Sequence, residues 1–353
     1  MALIDIYCEF EFLETFYTSC PQIKNKAEYL SARYWYELDR LLFRNQSRIY
    51  LDITKKILID LAEGDNPTGI AVQELISAHA ENKISEILFE QTITGLKNIK
   101  YTIFLTKKSK DECKQLEEEF GLIFISKDNY LESLAFLFSS DIKLINETTK
   151  DLNFLKQYRH PCNEIILVDN YILSQKKLNS NSIKQLFDAL LPIKLKGNSF
   201  NVIIYANSKD KKDSEDSKFP KIDYPANKNE IQQSIEALRD YTINVKYPEN
   251  INEYRDYEKM KEDNNLEEYF KAENHDRYLL TNYCFFSIGY GFNVNKKVKM
   301  VGTNLVVYPL TYQSDYYQSN NANIVDLIKY IRDKNYNHST TVTHPYLSSS
   351  SPY

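Results

Sequence analysis

Two α/β domains in one chain are what this sequence predicts, and three observations carry that reading. Strand-like and helix-like stretches alternate along both halves, the pattern of sheets fed by crossover helices. A polar stretch at 146–160 interrupts the alternation and reads as a link. The length of 353 residues is enough for two hydrophobic cores. Residues 1–150 are therefore expected to form an N-terminal α/β domain and 161–335 a second one, with 336–353 a disordered tail too polar to fold alone.

Taken in order, 2–10 (ALIDIYCEF) is an opening strand, with Asp5 and Glu9 among apolar neighbours. Residues 26–43 predict an amphipathic helix, because Tyr29, Leu30, Tyr34, Leu38, Leu41 and Leu42 recur at near-helical intervals. A second strand follows at 47–53 (SRIYLDI), Asn66-Pro67 breaks the chain, and 70–89 is read as a helix. KYTIFLT at 100–106 is a buried strand, and 111–120 is a helix closed by Gly121 as C-cap. LIFIS at 122–126 is a strand leading into Lys127-Asp128-Asn129; a short apolar helix at 130–138 and a strand at 142–145 complete this half. The second half restarts with NEIILV at 163–168. Serines and asparagines at 179–182 then cap a helix reaching Leu191, and SFNVIIYA at 199–206 is the next strand. A mixed-charge loop at 209–221, a helix at 231–241, a strand at 243–247 and a polar segment at 255–268 precede a strand pair beginning near His275. A strand at 305–310 and a helix at 324–332 end the pattern.

Bulk properties narrow the function classes. Hydrophobic residues make up 42% and charged residues 26%, with a net charge of −5, which argues against a protein coated in positive charge for non-specific nucleic-acid binding. A local basic groove is compatible with that balance. The five cysteines, Cys8, Cys20, Cys113, Cys162 and Cys284, form no C-x-x-C pair and read as buried reduced thiols rather than a zinc site or a disulfide framework. No apolar run approaches the ~18 residues of a membrane span, so a cytoplasmic protein without a transmembrane segment is expected.

The most informative stretch is HDRYLLTNYCFFSIGYGF, from His275 to Phe292. Its intervals are His-x-Arg-x4-Asn-x6-Gly. They resemble the His-x-Lys-x4-Asp-x6-Gly-Ser signature of the phospholipase D (PLD) superfamily, with Arg277 for lysine, Asn282 for aspartate and Tyr290 where serine is frequent. The stretch is more similar still to the PLD-like domain that ends MIT-domain (microtubule-interacting and trafficking) proteins, a branch that uses the fold for binding. Element order from 161 to 332 also resembles the family: strand, helix, strand, helix, strand, then the histidine strand and a glycine turn. The resemblance implies an α/β domain with a mixed sheet.

It also implies a site. In active members the histidine attacks phosphorus, a second histidine from another motif copy protonates the leaving oxygen, and the lysines neutralise phosphoryl oxygens. His275, Arg277 and Asn282 are the corresponding catalytic candidates. One copy of the motif per chain implies a homodimer meeting through this domain. Arg277, Gly289 and Gly291, with Lys296 and Lys297 as a positive rim, are candidates for phosphate binding, for which a planar guanidinium is well suited. Asn282 could orient a ring nitrogen but cannot supply the charge that stabilises an imidazolium. The structural alternative is that His275 and Arg277 only hold the strand in place. No cofactor is implied for this site.

In the first half, the strand–helix–strand run from Lys107 to Asn129 resembles the later part of a PIN-like nuclease domain. That resemblance implies acids at the carboxyl ends of parallel strands collecting Mg²⁺ or Mn²⁺, with Asp5, Asp111 and Asp128 as ligands and Glu37 or Glu74 as helix-borne additions. Asp111 in SKDE also suits a helix first turn and Asp128 in KDN a turn. Of the histidines outside the motif, His79 reads as an ordinary helix residue, and His160 and His344, each before a proline, receive no role. The functional expectation is a PLD-like protein that binds nucleic acid or another phosphodiester partner. By fold analogy alone, it could serve as a nuclease component of a bacterial antiviral or conflict system. A non-catalytic dimerisation or adaptor scaffold within a larger assembly of protein subunits is the alternative.

Overall fold

The structure, a computed structural model, describes residues 4–19, 32–33, 35–39, 47–52, 84–86, 102–129, 141–145, 151–169, 172–173, 178–197, 199–206, 224–247, 277–288 and 303–309, with isolated positions between them. The chain divides into two units: Met1–Ser139 with Pro309–Tyr353, and Ser140–Tyr308. Each is an α/β unit built on its own sheet.

In the first unit, β1 (Ile4–Cys8) runs directly into α1 (Phe10–Thr18), and β2 (Ser47–Leu51) and β3 (Ile84–Glu86) follow. Next come β4 (Thr102–Leu105), α2 (Lys110–Phe120) and β5 (Ile123–Ile125). The sheet order is β3-β2-β1-β4-β5, and all four pairings are parallel. Register places Tyr50, Tyr7, Phe104 and Phe124 side by side on one face. Their rings stack in sequence at centroid separations of 4.6, 5.1 and 4.6 Å. Cys113 and Phe120 of α2 and Leu122 complete this core, with Leu116 packed against it. Alternate residues Ile6, Cys8, Leu51, Ile103, Leu105, Ile123 and Ile125 fill the other face and are also buried. Burial on both faces is what an all-parallel sheet requires and explains why these strands read as continuous apolar runs.

α2 owes its limits to local chemistry. Ser109 caps it in a capping box with Glu112, and Gly121 ends it at φ 64°, a left-handed conformation that glycine adopts without steric cost. One sequence expectation is corrected here. The helix read over 70–89 does not hold at its far end, where Ile84–Glu86 forms β3 beside β2. Three residues are too few to display a period, so pairing at the sheet edge decides their conformation.

The second unit begins with β6 (Asp141–Ile145), then a 3₁₀ turn at Asn153–Tyr158, β7 (Glu164–Val168), α3 (Leu178–Leu190) and β8 (Phe200–Tyr205). It continues with α4 (Tyr224–Glu236), β9 (Ile243–Lys246), β10 (Arg277–Thr281), β11 (Cys284–Ile288) and β12 (Thr303–Pro309). The sheet is mixed, ordered β6-β12-β11-β10-β7-β8-β9: β7, β8 and β9 are parallel, while β10 is antiparallel to both β7 and β11.

Three boundaries differ from the sequence reading. Asp141–Ile145, read with the first half, pairs with β12 in the second sheet. The link expected at 146–160 contains the 3₁₀ turn, whose Leu155 and Tyr158 are buried, because its apolar residues are spaced for a turn against α3 rather than for a strand. α4 starts at Tyr224 and not near 231, with Pro225 in its first turn, where a missing N–H costs nothing. The mixed-charge loop at 209–221, the segment 255–268, the helix at 324–332 and the tail at 336–353 lie outside the described residues.

Two arginines lock α3 at its C-terminus. Arg239 donates from Nε to the Pro192 carbonyl, from Nη1 to Asp188 Oδ1 and from Nη2 to the Asp188 and Leu191 carbonyls, at 2.8–3.1 Å. Arg159 donates to the Asp188 and Ala189 carbonyls. The last carbonyls of a helix lack intrahelical partners and carry its negative pole, so two guanidiniums satisfy both needs.

Candidate functional site

The histidine-motif strand places its candidates at opposite ends. Arg277 opens β10 beside the carboxyl end of β7, and its Nε donates to Asp169 Oδ1 at 3.3 Å. Both side chains are largely buried, at 13% and 12% exposure, so the guanidinium is held in a defined orientation by a carboxylate. Asp169, which follows β7, also donates its N–H to the Tyr205 carbonyl at the end of β8. This is the carboxyl edge of the parallel part of the sheet, where open α/β sheets gather ligands. His275, Gly289, Gly291, Lys296 and Lys297 lie outside the described residues.

Asn282 lies in the hairpin at the other end of β10, about 17 Å along a five-residue strand. It is fully buried. Its Oδ1 accepts from the N–H groups of Asn163 and Glu164 at 2.9 and 3.1 Å, and its Nδ2 donates to Asn163 Oδ1 at 3.0 Å. The Asn282 amide thereby ties the β10–β11 hairpin to the start of β7.

His160, to which the sequence assigned nothing, belongs to the same knot. Its Nδ1 hydrogen-bonds the Tyr158 carbonyl at 2.6 Å and its Nε2 the Thr281 hydroxyl at 3.1 Å, with the Tyr283 ring edge-on at 5.5 Å. The Thr281 hydroxyl oxygen also accepts from the N–H groups of Tyr283 and Cys284. Burial pushes the His160 pKa down to about 4, against a smaller opposing pull from the Tyr158 carbonyl, so the ring is neutral. Nδ1 then donates and Nε2 accepts. The available sequence signal was Asn-Tyr between two strands, a two-residue hairpin, but the partner histidine lies more than a hundred residues earlier.

In the first unit the expected metal ligands are not brought together. Asp5 is the second residue of β1, level with Arg48 and Thr102, three residues short of the strand's carboxyl end. Asp111 is exposed in the first turn of α2, and Asp128 is exposed in the turn after β5. Among the described residues, no group of three or more His, Cys, Asp or Glu side chains is arranged to hold a metal ion. Asp5, expected to begin a Mg²⁺ or Mn²⁺ cradle with Asp111 and Asp128, lies within the first strand, which ends at Cys8.

The acid that the carboxyl edge does hold is Glu9. It is 4% exposed, and its Oε2 accepts from the Thr106 hydroxyl at 2.8 Å and the Lys107 N–H at 2.5 Å, bridging β1 to the end of β4. Strand order reverses between these two strands, which makes this the sheet's switch point. On the same edge, Asp52 Oδ1 accepts from the Phe10 N–H at 2.6 Å, and the Lys107 ammonium meets Glu11 at 2.6 Å. Desolvation raises the Asp52 pKa, opposed by that N–H and by Lys107. Burial, reinforced by Asp52 and Glu9, raises the Cys8 thiol well above its usual range, so no thiolate forms there. Three acids around one lysine form a negative edge that is partly neutralised from within the chain.

Cys8, Cys113, Cys162 and Cys284 are buried thiols outside any disulfide. Among the described residues, no helix is long and apolar enough to cross a membrane. No protein-family model matches the chain, and a search of curated proteins finds no match either.

Proposed function

We propose that the chain is a PLD-like protein whose second unit engages a phosphodiester partner, nucleic acid foremost, at the edge where Arg277 and Asp169 meet. The observation that carries this reading is the orientation of Arg277: a largely buried guanidinium, braced by a carboxylate, at the carboxyl edge of β7 and β8. Such a group is prearranged for phosphate and loses little freedom on binding it. Element order supports the family reading, since β7, α3, β8, α4, β9 and the β10–β11 pair follow one another as the resemblance requires. With one motif copy per chain, two protomers facing each other would supply the paired histidines that cleavage needs. Four buried thiols among the described residues, none in a disulfide, suit a reducing cytoplasm.

The test is fluorescence anisotropy with short labelled single- and double-stranded DNA and RNA, followed by gel analysis for cleavage, with and without EDTA. Asp169→Asn with Arg277→Gln replaces the ion pair by an amide pair and spares the unit an unpaired buried charge. The expected result is binding that weakens about tenfold or more in the double variant. Metal-independent cleavage lost in His275→Ala would add a phosphohistidine mechanism. Absence of binding to every nucleic acid would sink the proposal and leave the adaptor scaffold. Binding indifferent to the double variant would remove Arg277 from the contact.

A further inference from the structure

The second unit contains a hollow of about 600 Å³ at the amino ends of β8 and β9, within the size range of small-ligand sites. It lies at the opposite edge of the sheet from Arg277. The α3–β8 loop supplies Ile193, Lys194, Lys196 and Gly197; Ser199 precedes β8 and Tyr241 precedes β9. We propose that this hollow binds a nucleotide, either free or at the end of a strand.

The argument begins with the loop's rigidity. Arg239 Nε and the Tyr241 hydroxyl both donate to the Pro192 carbonyl, at 3.0 and 2.8 Å, while Arg239 Nη2 holds the Leu191 carbonyl. The backbone entering the loop is therefore pinned on the side nearest β9, and the residues after it are presented from a fixed base. Polar and apolar elements then divide the hollow. Lys194 and Lys196 are exposed and alternate along the loop, with the Gly197 backbone and the Ser199 hydroxyl beside them, a set that suits phosphate oxygens. Ile193 is 68% exposed, one of two large hydrophobic side chains so placed among the described residues, and with the Tyr241 ring it offers an apolar surface for a base. Charge supports an anion. Among the described residues, Asp240 is the one acid lining the hollow, and the Asp188 carboxylate is taken up by Arg239. Lys156 and Arg159 add positive charge near Asp188, in a chain whose net charge is −5.

The test uses methylanthraniloyl-labelled ADP and a labelled oligoadenylate with the intact chain, competed by unlabelled ADP, adenosine and inorganic phosphate. Lys194→Ala with Lys196→Ala alters exposed side chains and should leave the fold intact; Lys184→Ala on α3 is the charge control. Saturable binding of labelled ADP that ADP displaces better than adenosine, and that weakens tenfold or more in the double lysine variant but not in Lys184→Ala, would establish a free-nucleotide site. The same lysine dependence seen with oligoadenylate alone would establish a strand-end site. Ile193→Ser should weaken either probe a few-fold. Failure of both probes to saturate, or binding untouched by the lysine pair, overturns the proposal. The Arg277 and Asp169 variants leave this hollow intact, so it and the site at Arg277 can fail separately.

Discussion

His160 is neutral in the folded chain and would be charged in the unfolded chain below neutral pH. Its pKa falls from 6.5 to about 4 on folding, so between those values the unfolded state binds the extra proton. Its contribution to stability is complete above pH 6.5 and is lost as pH falls through the window, by about 2 kcal/mol at pH 5. Urea unfolding at pH 7.5 and pH 5, compared between wild type and His160→Gln, isolates this term from other titrations. The expected outcome is a smaller pH dependence in the variant; equal dependence in both would show that His160 is not the group responsible. Asn282 offers a second check at this scale. Replacing it with leucine strands the buried N–H groups of Asn163 and Glu164, an expected loss of about 2–4 kcal/mol by chemical denaturation. These two residues also mark the limit of reading a site from spacing. The interval from Arg277 to Asn282 was visible, but their separation to opposite ends of β10 follows from strand geometry, and the partners of Asn282 are set by pairing with β7.

At the scale of elements, the ring ladder across β2, β1, β4 and β5 joins four strands through one row of side chains. Phe104 stacks on both sides, at 5.1 Å to Tyr7 and 4.6 Å to Phe124, so Phe104→Leu should destabilise the first unit by about 1–3 kcal/mol. A control without that stacking, Ser109→Ala at the cap of α2, should cost about 1 kcal/mol. Thermal unfolding of both variants tests the order, and a cap variant as damaging as Phe104→Leu would contradict it. Strands such as EIILV and FNVIIY were legible because burial on both faces leaves unbroken apolar runs. α2 was legible because its cap, its apolar face and its terminal glycine agree. β3 was not, since its conformation comes from β2, and neither was the clamp on α3. Arg239 and Arg159 meet the end of that helix from elements about 30 to 50 residues away, and no local pattern announces it.

For the whole molecule, the second sheet closes within residues 141–309, its first strand β6 paired to its last, β12. A fragment spanning 140–310 is expected to unfold in a single cooperative transition by circular dichroism; a chain that stays molten would show that the division into two units does not correspond to independent folding. That the chain builds two sheets was legible in outline, from the restart of strand patterning after 160. The membership of β6 was not, because it resembles any other short apolar strand and only its partner assigns it. That pairing also bears on how the protein is made. β6 leaves the ribosome on the order of 160 residues before β12, and at 5–20 residues per second the wait is roughly 8 to 30 s. During translation the early strand must remain without its partner while β7 to β11 are synthesised. Completion of the sheet is thus postponed until β12 emerges, which makes the nascent chain, rather than the finished protein, the form most dependent on chaperones.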